Sequence, residues 1–108
     1  MSKVYNKLVR DKIVEIITAN NEKPHYRTLN KTEFIDELHK KLFEEANEFV
    51  ECDDPEELAD LLEVLYAIAK EKNIDLSKVE EIRLKKREKR GGFDKKIFLE
   101  NVDNEINL

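Results

Sequence analysis

Hydrophobic residues in the middle of the chain recur at helical spacing in two consecutive segments. The first stripe consists of Phe34, Leu38, Leu42 and Phe49. The second stripe, which predicts a helix running to about Lys72, consists of Leu58, Leu61, Leu62, Leu65 and Ile68. Only the short turn at Cys52–Asp54 separates the two segments, so they are predicted to form an antiparallel helical hairpin.

Capping residues mark where these two helices begin. Asn30 and Glu33 have the spacing of a capping box. Pro55 suits the first position of the next helix, with Asp54 as its N-cap.

Two further helices are predicted on either side of the hairpin. One runs from Lys7 to Ala19 and is followed by a polar loop over 21–29. The other opens with the capping box Ser77–Glu80, runs to about Arg90 and ends at Gly91-Gly92. In the tail, 93–108, residues 96–99 are interpreted as a short strand or a packing segment. The fold predicted for residues 1–108 is one all-α domain, a four-helix bundle around the central hairpin.

Composition supports this fold class. The chain is 42% charged and 40% hydrophobic with only two Gly and two Pro, which disfavours a many-stranded sandwich or barrel. A single cysteine, Cys52, excludes an intrachain disulfide. No apolar run approaches the roughly 20 residues of a membrane span, and no signal-peptide core opens the chain. We therefore expect a soluble cytoplasmic protein without a membrane partner.

Charge is divided unevenly along the chain. Residues 44–63 carry ten Asp or Glu and no Lys or Arg, whereas residues 83–96 carry eight Lys or Arg against Glu88 and Asp94. A solvated acidic face and a solvated basic tail explain this division. It also suits a site in which carboxylates hold a cation and basic groups hold its anion.

Four carboxylates occupy positions where the helical pattern predicts apolar residues. Glu45 lies inside the apolar arc of its helix with Glu48 at the edge, and Glu57 lies inside the next arc with Asp60 just beyond it. An unpaired carboxylate on a core face costs several kcal/mol. A divalent cation, Mg²⁺ or Mn²⁺, would remove this cost by pairing with all four.

Each acidic pair has a simpler explanation when it is taken alone. Glu45 and Glu48 would suit a solvated face, and Glu57 would suit the acidic first turn that helix dipoles favour. Because both pairs lie on core-facing arcs of consecutive helices, the metal site and the solvated face explain the pattern equally well.

The acidic motifs resemble those of a known superfamily. Glu44-Glu45-Ala46-Asn47-Glu48, followed by Glu57-Leu58-Ala59-Asp60, is similar to the Glu-Glu-x-x-Glu and Glu-x-x-Asp motifs of the all-α nucleotide pyrophosphohydrolases. That superfamily includes MazG, the phosphoribosyl-ATP pyrophosphohydrolases and the dimeric dUTPases. Residues 5–13 and 89–93 resemble a small branch described as phosphoribosyl-ATP pyrophosphohydrolase-like, so the resemblance covers about residues 4–99.

The resemblance implies a MazG-like bundle, assembled as a homodimer or homotetramer, that cleaves a nucleoside triphosphate to monophosphate and pyrophosphate with Mg²⁺. Its metal ligands would be Glu45, Glu48, Glu57 and Asp60. Glu44 and Glu45 would be the catalytic residues, with Glu44 binding a second metal or activating the attacking water. Lys86 and Arg90 would bind the phosphates of the substrate. The gap from Glu48 to Glu57 is shorter than in many members, so the hairpin turn would contribute little to the substrate pocket.

Other residues and functions stay open on the sequence. Arg10, Lys12 and Lys41 are further candidates for phosphate binding, although basic residues are usually just exposed. Phe93 suits either base stacking or a core position. The substrate is expected to be a nucleotide, with phosphoribosyl-ATP or a modified nucleotide as alternatives. A helical nucleic-acid-binding or interaction module using Arg83–Arg90 is the alternative of another class, and it leaves the core-facing carboxylates unexplained.

Overall fold

The computed structural model describes residues 2–103, which form four α-helices and no strand. They are α1 (Ile13–Ala19), α2 (Lys31–Cys52), α3 (Pro55–Glu71) and α4 (Leu76–Arg90). The all-α prediction with four helices is therefore confirmed over this range. None of the helices in residues 2–103 has both the length and the apolar character needed to cross a membrane.

The chain divides into two compact units, Met1–Leu76 and Ser77–Leu108. The first unit contains α1, α2 and α3, and the second contains nearly all of α4 and the segment after it. That a single domain covers 1–108 stays a prediction.

The hairpin of α2 and α3 is the packed centre of the first unit. Asp53 adopts a left-handed conformation with φ of 52°, and its N–H donates to the Phe49 carbonyl at 2.8 Å. Asp54 follows as the N-cap of α3, accepting a hydrogen bond from the Glu56 N–H at 3.0 Å, and Pro55 is the first helical residue. With only Asp53 and Asp54 between them, the two packed helices run in opposite directions.

The start of α2 also follows local capping rules. Asn30 Oδ1 accepts a hydrogen bond from the Glu33 N–H at 2.9 Å, as the capping-box spacing predicts. The Glu33 carboxylate is engaged by Arg27, whose two terminal nitrogens donate to it at 2.8 and 3.2 Å.

The predicted start of α1 at Lys7 is wrong, because the helix begins at Ile13. Asn6 has a left-handed φ of 45°, and the residues from Lys7 to Lys12 are not helical. Lys7 and Arg10 instead form ion pairs with carboxylates of the hairpin. These contacts with distant residues hold the segment outside the helix, whose first turn is costly to form.

The fourth helix and the tail need smaller corrections. α4 begins at Leu76, so Ser77 lies in its first turn and not at the predicted N-cap. The helix ends at Arg90, and Gly91 follows it with a φ of +83°, as predicted. Within residues 2–103, residues 96–99 form neither a strand nor a packed segment, since Ile97 is 80% and Phe98 86% exposed. Phe93 is also exposed and lies outside the core of the described residues. The part of the tail prediction that concerns 104–108 lies outside the described residues.

The core of the described chain is thin. Leu38 and Ala69 are its only buried apolar residues. Three other residues of the α2 stripe, Phe34, Leu42 and Phe49, are half-buried. On α3 the side chains of Leu58, Leu62 and Leu65 are 42–43% exposed, although the apolar pattern predicts that they face a core.

Candidate metal centre

Three carboxylates from the two helices of the hairpin meet at one point. Glu45 projects from α2, and Glu57 and Asp60 project from α3. One oxygen from each carboxylate lies within 4.8 Å of the others. The three-residue spacing of Glu57 and Asp60 puts both on one face of α3, and the hairpin brings Glu45 opposite them. We call this group, Glu45, Glu57 and Asp60, the carboxylate cluster.

Two oxygens of the carboxylate cluster are buried without a hydrogen-bond partner. They are Glu45 Oε2 and Glu57 Oε2. Glu45 is only 8% exposed and is the one buried charged residue of the part of the chain that the structure describes. A buried polar atom left without a partner costs about 1–3 kcal/mol, and more when it is charged. Two such atoms on neighbouring carboxylates fit a cation-binding site, because a bound cation would satisfy both.

Glu48, the fourth predicted ligand, lies beside the cluster. The carboxyl of Glu48 is within hydrogen-bonding reach of Glu57, and this contact, together with burial, raises the pKa of Glu57. Burial and the nearby charge of Glu48 likewise raise the pKa of Glu45, partly offset by the positive charge of Lys41. The structure thus gathers three of the four predicted metal ligands in the carboxylate cluster, with the fourth, Glu48, next to Glu57. Their mutual repulsion favours protonation when no cation is present.

Basic side chains border the cluster on the α2 side. Lys41 Nζ lies 3.5 Å from Glu45 Oε1 and 3.5 Å from Glu44 Oε1. Lys7 Nζ lies 3.9 Å from the same oxygen of Glu44. Glu44 therefore stands next to the cluster, between two ammonium groups, and its side chain is 38% exposed.

Arg10 borders the cluster on the α3 side. Its Nη2 donates to Asp60 Oδ1 at 2.7 Å, and its Nη1 lies 4.0 Å from Glu63. Asp60 is thus the one member of the cluster that an arginine neutralises, in contrast to the unpartnered oxygens of Glu45 and Glu57. Lys7 and Glu63 were missed by the sequence analysis. Lys7 lies within residues 5–13, where Arg10 and Lys12 were selected instead, and Glu63 belongs to neither acidic motif.

The remaining predicted site residues are not gathered at the cluster by the described contacts. Lys12 is exposed just before α1 and forms no ion pair within residues 2–103. Lys86 and Arg90 are exposed on α4, in the second unit.

The donor set decides which cation the cluster would suit. All of its donor atoms are carboxylate oxygens, which hard cations such as Mg²⁺ and Mn²⁺ prefer. Zinc sites usually include Cys or His, and none lies within this group. The residues present therefore fit a magnesium-type site.

The raised pKa values of Glu45 and Glu57 predict how the stability of the metal-free protein depends on pH. Both lie above the ordinary value of 4.5, so the folded state binds more protons than the unfolded state between the two values. The free energy of unfolding should therefore fall as pH rises from 4.5 through the raised pKa values. Urea unfolding at a series of pH values in the presence of a chelator measures this dependence.

Glu45→Gln should flatten that fall and stabilise the metal-free protein at pH 7 by about 1 kcal/mol, because it removes a buried negative charge. Glu33→Gln is the matched control. The pKa of Glu33 is lowered by Arg27, so its contribution is lost only as pH falls below the ordinary value. A Glu45→Gln protein whose stability fell with pH as steeply as that of the wild type would contradict the assignment.

Comparison of the chain with protein-family models, with curated proteins and with solved structures gives no match.

Proposed function

We propose that this protein is a cytoplasmic, MazG-like nucleotide pyrophosphohydrolase that depends on Mg²⁺ or Mn²⁺. The observation that carries the proposal is that Glu45, Glu57 and Asp60 each bring one oxygen within 4.8 Å of the others, and that Glu45 and Glu57 each also have a buried oxygen without a hydrogen-bond partner among the described residues. Basic groups at Arg10 and Lys41 adjoin the same carboxylates. A metal site bordered by basic side chains suits a substrate that is a polyanion, such as a nucleoside triphosphate.

The carboxylates have distinct roles in this proposal. Glu45, Glu57 and Asp60, together with Glu48, would hold the cation. A bound Mg²⁺ would polarise a phosphate oxygen and lower the pKa of a water molecule. Glu44 is adjacent to Glu45 but outside the carboxylate cluster, and its partial exposure leaves it accessible to a water molecule. Glu44 would orient that water and accept its proton.

Phosphate binding falls to the basic residues. Lys41 reaches both Glu44 and Glu45 and has a largely buried side chain, so its charge is poorly screened by solvent. Arg10 supplies a planar guanidinium, which suits two phosphate oxygens at once. Lys12, Lys86 and Arg90 remain further candidates for the phosphate chain.

An alternative of another class has one observation in its favour. α4 is exposed along its length and carries Arg87, Lys89 and Arg90 in its last turn, which suits a nucleic acid or another acidic partner. Such a module would require no buried carboxylates on the hairpin. Phosphoribosyl-ATP or a modified nucleotide as substrate would use the same carboxylates as the main proposal.

The experiment that tests the proposed reaction combines a nucleotide panel with Mg²⁺ in ¹⁸O-labelled water. We expect monophosphate and pyrophosphate as the first products, with the label in the monophosphate, because water attacks the α-phosphorus directly. Label in the pyrophosphate would place the attack at the β-phosphorus. Orthophosphate as the first product would identify a γ-phosphatase, and binding of nucleic acid without any turnover would favour the alternative.

A further inference from the structure

The segment before α1 is fastened to the hairpin at the carboxylates themselves. Residues 2–12 are not helical, and from this segment Arg10 reaches Asp60 at 2.7 Å and Glu63 at 4.0 Å. Lys7 lies three residues earlier in the same segment, and its Nζ is 3.9 Å from Glu44 Oε1. Both contacts attach the segment to acidic residues in or next to the carboxylate cluster.

Arg10 neutralises only one of the three carboxylates of the cluster, that of Asp60. Its guanidinium carries a permanent charge and holds Asp60 Oδ1 by a short, charge-assisted hydrogen bond. The buried oxygens Glu45 Oε2 and Glu57 Oε2 accept no hydrogen bond from residues 2–103. A divalent cation placed among the three carboxylates would satisfy those two oxygens, but it would share Asp60 with the guanidinium. Two cations on one carboxylate repel each other, so each weakens the binding of the other.

We propose that Arg10 is a built-in cation that exchanges with the divalent metal at Asp60. This inference rests on the proposed metal site and concerns how that site is regulated. Metal binding displaces the guanidinium from Asp60, and the freed guanidinium then binds the phosphate of the nucleotide. Arg10 therefore lowers the affinity for metal when no nucleotide is present and raises the affinity for nucleotide once the metal is bound.

Side-chain exposure is consistent with such an exchange. The Arg10 side chain is 58% exposed and that of Asp60 is 42% exposed, so the ion pair lies at the solvent-facing side of the cluster and can open without unfolding the hairpin. By contrast, Lys41 is held by two carboxylates and its side chain is only 18% exposed. Arg10 is thus the more readily displaced of the two basic groups that contact the predicted ligands.

The test compares wild type, Arg10→Ala and Arg10→Gln, with Arg27→Ala as the matched control. Arg27 forms an equally short pair, 2.8 Å from Glu33, but does not contact the cluster. Free and bound Mn²⁺ are measured by electron paramagnetic resonance on chelator-treated protein. Binding of an α,β-imido nucleoside triphosphate is then measured at saturating Mn²⁺. Both Arg10 variants should bind Mn²⁺ about tenfold more tightly and the analogue about tenfold more weakly, within the usual range of coupling between sites, while Arg27→Ala matches wild type.

The outcomes separate this inference from the metal site on which it rests. If wild type binds Mn²⁺ and both Arg10 variants bind it equally or more weakly, the exchange is overturned. Weaker binding would make Arg10 a positioning residue for Asp60. Unchanged affinity for the analogue in those variants would overturn the second half of the exchange. Absence of Mn²⁺ binding in every protein would overturn the metal site as well. A second test uses wild-type protein and trypsin. Mn²⁺ alone should speed cleavage after Arg10, because the exchange frees this side chain from Asp60. Slower or unchanged cleavage would contradict the exchange.

Discussion

Replacing Asp60 with Asn should lower kcat/KM for the proposed nucleotide substrate by about a thousandfold while leaving the protein folded. The substitution keeps the shape of the side chain but removes one of the three charges that lie within 4.8 Å of one another. Without the charge of Asp60 the site would hold Mg²⁺ less firmly, and the charge that develops on the phosphate would be less well stabilised. A thousandfold loss corresponds to about 4 kcal/mol in the transition state. Steady-state kinetics at saturating Mg²⁺ measure the effect.

Glu63→Gln is the control for this prediction. Glu63 is the second acidic partner of Arg10, at 4.0 Å, and it lies three residues after Asp60 on the same helix but outside the carboxylate cluster. Its loss should change kcat/KM by less than about threefold, as expected for a pair as exposed as this one. Equal losses in the two variants would mean that general negative charge, and not a ligand at position 60, supports turnover.

Leu62→Lys should break the proposed oligomer into monomers and lower the melting temperature by at least about 5 °C. The apolar stripe Leu58, Leu62 and Leu65 follows helical spacing on α3, yet each of these residues is 42–43% exposed. Within residues 2–103, the buried apolar residues are Leu38 and Ala69. Burying a fully exposed leucine contributes about 1.5–3 kcal/mol. Covering the part of each of these three leucines that is still exposed would therefore favour binding of a second copy of the chain. Sedimentation equilibrium and thermal unfolding at several protein concentrations measure both effects.

Tyr26→Lys supplies the comparison, because Tyr26 is 70% exposed in the loop before α2 and belongs to no helical stripe. It should leave the oligomer and its melting temperature unchanged. A wild-type protein that is monomeric at high concentration, with a melting temperature independent of concentration, would contradict the proposed assembly.

Features fixed by neighbouring residues were predictable from the sequence. The cap of α2 at Asn30 and the start of α3 at Asp54-Pro55 depend on contacts within three residues, and both are found as predicted. The position of Glu45 within an apolar arc likewise predicted its burial. Helical spacing also placed Glu57 and Asp60 on one face of α3, where the structure has them.

Features that depend on distant residues were not predictable in this way. Arg10 and Asp60 are separated by 50 positions, and no spacing rule connects them. The same contact explains why the predicted helix from Lys7 is wrong, since the path of residues 7–12 is set by the hairpin on which they lie. The exposed leucines of α3 show a second limit of prediction from sequence. An apolar stripe predicts that a surface is covered, but it does not predict which molecule covers it.

The most direct test of the metal centre counts the ions that the protein binds. Equilibrium dialysis of chelator-treated protein against Mn²⁺, with Mg²⁺ as competitor, should show at least one bound ion per wild-type chain. The Glu45→Gln, Glu57→Gln double variant should lose it, because that variant removes both charges whose oxygens have no partner in the fold. No bound ion in the wild type at millimolar metal, or equal binding by the double variant, would contradict the account.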